Sequence, residues 1–380
     1  MNIIVKLSNF FLNQVLFLLF PKWFIYYLSK QKFKTKLMDP NFDVRKFDKG
    51  LNPYFAKYGF RVSNLEARYF GMCTGIESDL YVPVGIFDKY IIPYLNNMEW
   101  RYGFADKNIS QRILDISKTS SEIDVRIPEC IVSCQNGRYF IGQNTPCSYN
   151  EAVERVLVWK NDFIIKPAVD SSHGKGVKKV LESEITRDFI ERLFKKYEKN
   201  FTVQKIVEQH PVLAAFNPTS VNTIRIATYQ DFEGKVKILY AAQRFGGKGK
   251  IYDNADDPNG GGGFCAISLD GTIDRHVHHY RNSKTEILDN KDVPEKIPCF
   301  EKIKEAVLYL HRYFPHYGLI GWDASLTPDG HPIIIEYNFH PGLGTGQLGN
   351  HPIFAKEDLD EIMKRVYKMR PRMSLRIRMI

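Results

Sequence analysis

No C-x-x-C pair occurs among the six cysteines of this 380-residue chain, and the nearest two, Cys130 and Cys134, sit in a stretch that reads as a β-strand. The thiols therefore outline neither a disulfide framework nor a thiolate metal site, and they suit buried positions in a reducing cytosol. No run of about 20 apolar residues is uninterrupted, which excludes a membrane-spanning helix by length. No small-x-small cleavage site follows the apolar N-terminal run, so a secretory leader is not indicated. No G-x-S-x-G elbow is present, the stretch DFIIKPAVDSSHGKGVKKV matches neither the P-loop pattern nor G-x-G-x-x-G, and no repeat of roughly 20 to 50 residues is visible. His276, His278 and His279 lack a cysteine or acid at the spacing that would complete a tetrahedral zinc site.

Acidic residues are scarce at both ends. Residues 1–40 carry six Lys and one Asp, residues 364–380 carry seven Lys or Arg and no acid, and against a net charge of +10 this leaves the middle at about −2. A nucleic-acid partner is not expected, because such proteins spread Lys and Arg over a folded face among stacking aromatics. Basic ends beside apolar residues suit an anionic membrane surface. Asn2, Lys6, Asn9 and Asn13 draw one polar stripe along an otherwise apolar helix, fitting either an interfacial helix on the cytoplasmic leaflet or a helix packed on the protein itself. The expectation is a cytoplasmic protein, peripheral on the inner face of the membrane in the first case.

With 44% hydrophobic and 25% charged residues the chain is ordinary globular material, long enough for two or three domains. Its texture predicts five consecutive parts. They are a basic amphipathic segment over 1–38, a mixed N-terminal domain over 39–120, α+β subdomains over 121–215 and 216–370, and a basic tail over 371–380. Strands are expected at CIVSC, RYFIGQ, DFIIKPAV, FTVQKIVEQHP, SVNTIRIATYQ, KVKILYAAQRF, FCAISL and TIDRHVHHY. Helices are expected near 148–158, 185–198 and 300–314.

GWDASLTPDGHPIIIEYNFHPG is the most informative stretch: P-D-G is turn chemistry between two strands, so Asp323 falls opposite Glu336 if Asp329 and Gly330 form a two-residue turn. Period-two alternation then puts Asn338 on the face of Glu336. Three oxygen-bearing side chains on one face suit Mg²⁺ held together with phosphates, and they also suit a solvated hairpin face. Upstream, Lys166 ends an apolar strand and precedes a loop with Ser171, Ser172, Gly174, Lys175 and Gly176, whose small residues let backbone N–H groups approach phosphate oxygens. In FTVQKIVEQHP, the strand end from Gln204 through Lys205 and Ile206 to Val207 presents backbone groups suited to a purine edge, and Glu208 is placed for a ribose hydroxyl. SVNTIRI sets Asn222 and Arg225 in an apolar strand, where a guanidinium requires a carboxylate or phosphate. RFGGKGKIYDNADDPNGGGGF is too long for a tight turn and reads as a functional loop.

Taken in order, the strand, lysine and glycine loop, the strand ending in Glu, the N-T-x-R strand and the D-(x12)-E-x-N hairpin resemble the ATP-grasp superfamily. SVNTIRI, the D-N loop followed by GGGG, and the hairpin resemble more narrowly its sugar-transfer-associated, glutamate-ligase-like branch, over roughly residues 100–355. The resemblance implies an ATP-grasp fold, in which two α+β subdomains clamp ATP, preceded by a mixed domain. It implies ATP and Mg²⁺ as cofactors: Lys107 and Lys166 on the phosphates, Ser171 to Gly176 as a lid, Gln204 to Val207 on adenine, Glu208 on ribose, and Asp323, Glu336 and Asn338 on two Mg²⁺. Arg225 and Lys166 are the implied catalytic cations. Many relatives carry Arg two positions before the metal Asp, where this chain has Gly321. The implied reaction joins a carboxylate to an amine through an acyl phosphate. The implied partners are a small-molecule or lipid-linked sugar and an amino acid or amine, and the implied role is in surface polysaccharide biosynthesis. Phosphorylation of a hydroxyl and a non-catalytic, membrane-attached module are the alternatives.

Overall fold

A computed structural model of the chain describes residues 50–119, 123–169, 174–251, 253, 262–279, 282–349 and 351–376. The chain forms two compact units. Of the described residues, one gathers those up to Asn96, those between His276 and Glu286 and those from Gly342 onward, and the other holds those between Asn97 and Arg275 and between Ile287 and Pro341. The amphipathic segment 1–38, Ser171 and Ser172 lie outside the described residues.

The first unit is mainly helical. Its helix Leu65–Thr74 buries Leu65, Tyr69 and Phe70 and stops at Gly75, whose φ of 72° few other residues adopt without strain. Distant segments are tied by polar contacts. The Tyr54 and Tyr58 hydroxyls donate to Asp360 Oδ1 at 2.8 and 2.7 Å, on the helix Lys356–Arg376. The Gln347 side chain takes up both the N–H and the C=O of Val82. Among the described residues no helix is long and apolar enough to cross a membrane.

The second unit is built on two antiparallel sheets. The first has six strands, β1 (Cys130–Gln135), β2 (Arg138–Ile141), β3 (Thr145–Cys147), β4 (Phe163–Pro167), β5 (Lys178–Val180) and β6 (Asn200–Lys205), in the order β3-β2-β1-β6-β4-β5. Helix α1 (Lys107–Thr119) precedes it, and α2 (Tyr149–Leu157) and α3 (Arg187–Tyr197) lie within it in sequence. Alternation gives this sheet two unlike faces. Val132, Cys134, Phe163, Ile165, Phe201 and Val203 form a core with Val153 and Val156 of α2 and Ile190 and Phe194 of α3. The helices start where the sequence caps them: Ser148 and Glu151 make a reciprocal capping box, and Thr186 accepts from Phe189 N–H. The other face carries polar side chains, with Thr202 opposite both Ser133 and Lys166, and Gln204 opposite Cys130.

Five strands of the second sheet belong to this unit: β7 (Ile224–Gln230), β8 (Val236–Phe245), β9 (Gly263–Ile267), β10 (Leu319–Leu326) and β11 (Pro332–Asn338), in the order β9-β8-β7-β10-β11. Helix α4 (Phe300–His311) covers one face with Ile303, Val307 and Leu310. On that face Trp322 is fully buried, and its indole N–H donates to Thr228 at 2.8 Å. Among its described residues, the stretch expected as a strand at TIDRHVHHY forms a strand at His276–His279, and Thr272 and Ile273 make isolated bridges to Lys296 and Ile267.

The β10–β11 hairpin departs from the simple two-residue turn. Thr327 N–H bonds to His331 O and Gly330 N–H to Thr327 O, with Gly330 at φ 78°, which inserts one residue at the turn. Ala324 therefore faces Ile334, yet Asp323 faces Glu336 and Gly321 faces Asn338. A second irregularity at Ile335 offsets the first, and Asp323 and Glu336 meet in the register that the simpler turn would have given.

Candidate functional site

The face of β7, β8, β10 and β11 away from α4 carries Arg225, Arg244, Asp323, Glu336 and Asn338. Asp323 is opposite Arg225 on one side and Glu336 on the other. Arg225 grips it with two bonds, Nε to Oδ1 at 2.5 Å and Nη2 to Oδ2 at 2.9 Å. Arg244 Nη1 reaches Oδ1 at 3.3 Å and Asn338 Nδ2 reaches Oδ2 at 3.4 Å. Asp323 is 4% exposed. Burial alone would raise its carboxyl, but Arg225 and Arg244 outweigh burial and hold it below the ordinary carboxylate range.

Lys166 stands on the polar face of the first sheet, 8% exposed. Burial, with help from nearby Lys107, pushes its ammonium down to about 8, against the opposing pull of Glu336 and Cys130. Lys107 opens α1, its N–H bonded to Ala168 O at 2.9 Å just past β4, and its ammonium lies 3.8 Å from Glu336 Oε2. Lys107, Lys166 and Glu336 thus come together, and β10 and β11 join them to Arg225, Asp323 and Asn338. The oxygens of Asp323, Glu336 and Asn338 on one face form a donor set suited to a hard divalent cation. Among the described residues no group of three His, Cys, Asp or Glu gathers around one point.

The glycine loop is described from Gly174 onward. Gly174 and Gly176 have φ of 71° and 78°, and a Cβ at Gly176 would lie 2.8 Å from Pro167 Cγ. Tyr197 hydroxyl donates to Gly176 O at 2.7 Å, which fastens the loop's end to α3. Lys175 is exposed. At the end of β6, Gln204 is buried, and its Nε2 has no hydrogen-bond partner. The Lys205 N–H is already bonded to Glu129 O, so this donor of the 204–207 stretch is committed to the protein. Ile206 and Val207 continue past the ladder half-buried, and Glu208 is exposed.

Three features escape a reading by sequence. Arg244 is one: its partner Asp323 lies 79 residues away, although alternation along β8 does put Tyr240, Ala242 and Arg244 on the face of Arg225. The second is what Asp253, of the D-N pair that carries the resemblance, holds: it accepts from Thr223 N–H at 3.3 Å and from the Thr223 hydroxyl, with Arg244 Nη2 3.2 Å from its carbonyl. The third is what surrounds Gly321. A Cβ there would lie 3.1 Å from Pro341 Cβ and 3.6 Å from Arg225 Cδ, so the space a side chain would use is filled by the proline and the arginine stem. Asn222, expected within a strand, precedes β7, and its buried amide donates to Leu213 O and Asn217 O as a structural tie.

The model of the sugar-transfer associated ATP-grasp family matches residues 87–364. Comparison with curated proteins gives no match. Among solved structures, the D-Ala:D-Ser ligase VanG from Enterococcus faecalis aligns with a TM-score of 0.43 and 12% identity, over 69% of this chain and 61% of that chain. D-alanyl-alanine synthetase A from Vibrio cholerae gives 0.38 and 19%, over 69% and 65%. An L-amino acid ligase from Bacillus licheniformis gives 0.35 and 15%, over 66% and 43%. The matches take in less than two thirds of each of these solved chains.

Proposed function

Because the chain belongs to the sugar-transfer associated ATP-grasp family and has its α+β fold, we propose that it is an ATP-dependent carboxylate–amine ligase. In this reading a substrate carboxylate attacks the γ-phosphate of ATP to give an acyl phosphate and ADP, and an amine then displaces phosphate to form an amide. The observation that carries it is the joining, on polar sheet faces, of buried Lys166 and half-buried Arg225 with the oxygen donors Asp323, Glu336 and Asn338.

Each residue has a role that its surroundings suit. Lys107 and Lys166 bind phosphate oxygens, and Lys166, with its ammonium at about 8, is mostly charged at neutral pH. Arg225 orients Asp323 through a fixed fork and offsets charge on the transferring group. Mg²⁺ held by Asp323, Glu336 and Asn338 supplies charge neutralisation at the phosphoryl group. The loop around Ser171, Ser172, Gly174, Lys175 and Gly176 excludes water, while Gln204 to Val207 and Glu208 receive the nucleoside. The substrates proposed are a sugar acid or amino sugar, free or lipid-linked, and an amino acid or amine of a surface polysaccharide, handled at the inner face of the membrane with help from the basic termini.

The test is ADP release over paired sugar acids and amino acids, with mass detection of the joined product. An amide formed by the native chain and absent with Glu336→Gln is expected. A phosphate ester would replace ligation by kinase chemistry, and failure to bind MgATP would remove the enzyme reading altogether.

A further inference from the structure

A carboxylate offers about four lone-pair positions, and those of Asp323 are all taken. Oδ1 accepts from Arg225 Nε and Arg244 Nη1, and Oδ2 from Arg225 Nη2 and Asn338 Nδ2. Asn338, a proposed ligand with the longest contact, frees Oδ2 by turning its amide oxygen toward a cation, but Oδ1 stays covered until one of the two arginines leaves. Arg225 is the poor candidate, since its fork is bidentate and it sits directly opposite on β7. Arg244 is the better one: its contact is longer, and its Nη2 already lies 3.2 Å from Asp253 O and 3.9 Å from Asp253 Oδ1. Asp253 is itself held, through Thr223. Its loop is pinned at several points ahead of it, where Asn217 Nδ2 donates to Gly246 O and Gly247 O and the Thr219 hydroxyl donates to Lys250 O.

We propose that Asp253 is a positioning residue that receives Arg244 when Asp323 takes a divalent cation, so that Asp253 sets how readily the site is loaded. This rests on the metal role of Asp323 proposed above. Arg244 then has two seats, one on Asp323 and one on Asp253. Weakening the second seat leaves it longer on the first.

The probe is Mn²⁺ alone, titrated into the full chain without nucleotide and followed by electron paramagnetic resonance, with thermal melting of every variant as a check on folding. Arg244→Gln, which removes the competitor, is expected to tighten Mn²⁺ about tenfold, within the usual size of coupling between sites. Asp253→Asn is expected to weaken it by a similar factor in the native background and to leave it unchanged in the Arg244→Gln background. Equal weakening in both backgrounds would mean a general charge effect and would overturn the proposal, as would no weakening in either. If Arg244→Gln fails to fold, Arg244→Lys serves as the background. It keeps the charge without the fork, and loss of at least half of the Asp253→Asn effect, on a logarithmic scale, is expected, while an undiminished effect overturns the proposal. Mn²⁺ bound by Asp323→Asn as tightly as by the native chain would instead sink the metal role itself.

Discussion

Replacing Lys166 by Met should stabilise the ligand-free protein while impairing nucleotide binding. The Lys166 ammonium is driven down to about 8 from 10.5, with burial as the main cause. Keeping this charge in the folded state therefore costs about 3 kcal/mol at pH 7. The sign is the reverse of a salt-bridged lysine. The folded state binds the proton less tightly than the unfolded chain, so the penalty is full below about pH 8 and fades as pH rises toward 10.5. Met keeps the unbranched stem and removes the charge. Lys166→Met should therefore melt roughly 5–10 °C higher than the native chain at pH 7, and the gap should close by about pH 10.5. Calorimetric titration with a non-hydrolysable ATP analogue should show a loss of roughly 10- to 100-fold in affinity. A variant that melts lower at pH 7, or a gain that does not shrink with rising pH, would refute the assignment of the strain to a buried charge.

Two further substitutions separate folding from chemistry. Asp323→Asn should remove turnover and also destabilise the chain by about 3–5 kcal/mol, because it strips the counter-ion from two largely buried guanidiniums; Glu336→Gln should remove turnover with stability within about 1 kcal/mol, its carboxylate being 38% exposed with its nearest cation 3.8 Å away. Equal melting temperatures for the two variants would argue against the buried ion cluster. Gly321→Ala should cost about 1–3 kcal/mol by overpacking against Pro341, while its Cβ makes only an ordinary contact with the Arg225 stem, so a lower melting temperature with kcat little changed is expected.

Much of the fold was legible where period-two alternation and turn chemistry agree, as at β1, β4 and β6 to β9. The hairpin shows where that reasoning thins. Three consecutive Ile residues give no phase, so the extra residue at the turn and its compensation at Ile335 leave no mark in the pattern. The meeting of Asp323 with Glu336 was legible only because the two irregularities cancel. Arg244 and Asp253 belong to a cluster assembled across the sheet, and nothing local to either residue points to Asp323. The helical unit was less legible still. Its ties run from Tyr54 to Asp360 and from Val82 to Gln347, contacts made by tertiary packing between segments separated by the whole of the other unit.

The charges explain why the site is arranged around Asp323. Lys107, Lys166, Arg225 and Arg244 adjoin one another through Glu336, Asp323 and Asp253, four cations against three carboxylates. Isolated in a buried cleft, such lysines would be driven toward neutrality, and such guanidiniums, which stay charged, would destabilise the strands that carry them. Asp323 and Glu336 pair with them instead. On the proposed reading, a nucleoside triphosphate with two Mg²⁺ is close to neutral, so loading it leaves the excess of one positive charge unchanged. That excess favours an acid as the second substrate, and Gly321 fits the same account. An arginine there would add a fifth cation in space already filled by the stem of Arg225, which reaches Asp323 from the neighbouring strand.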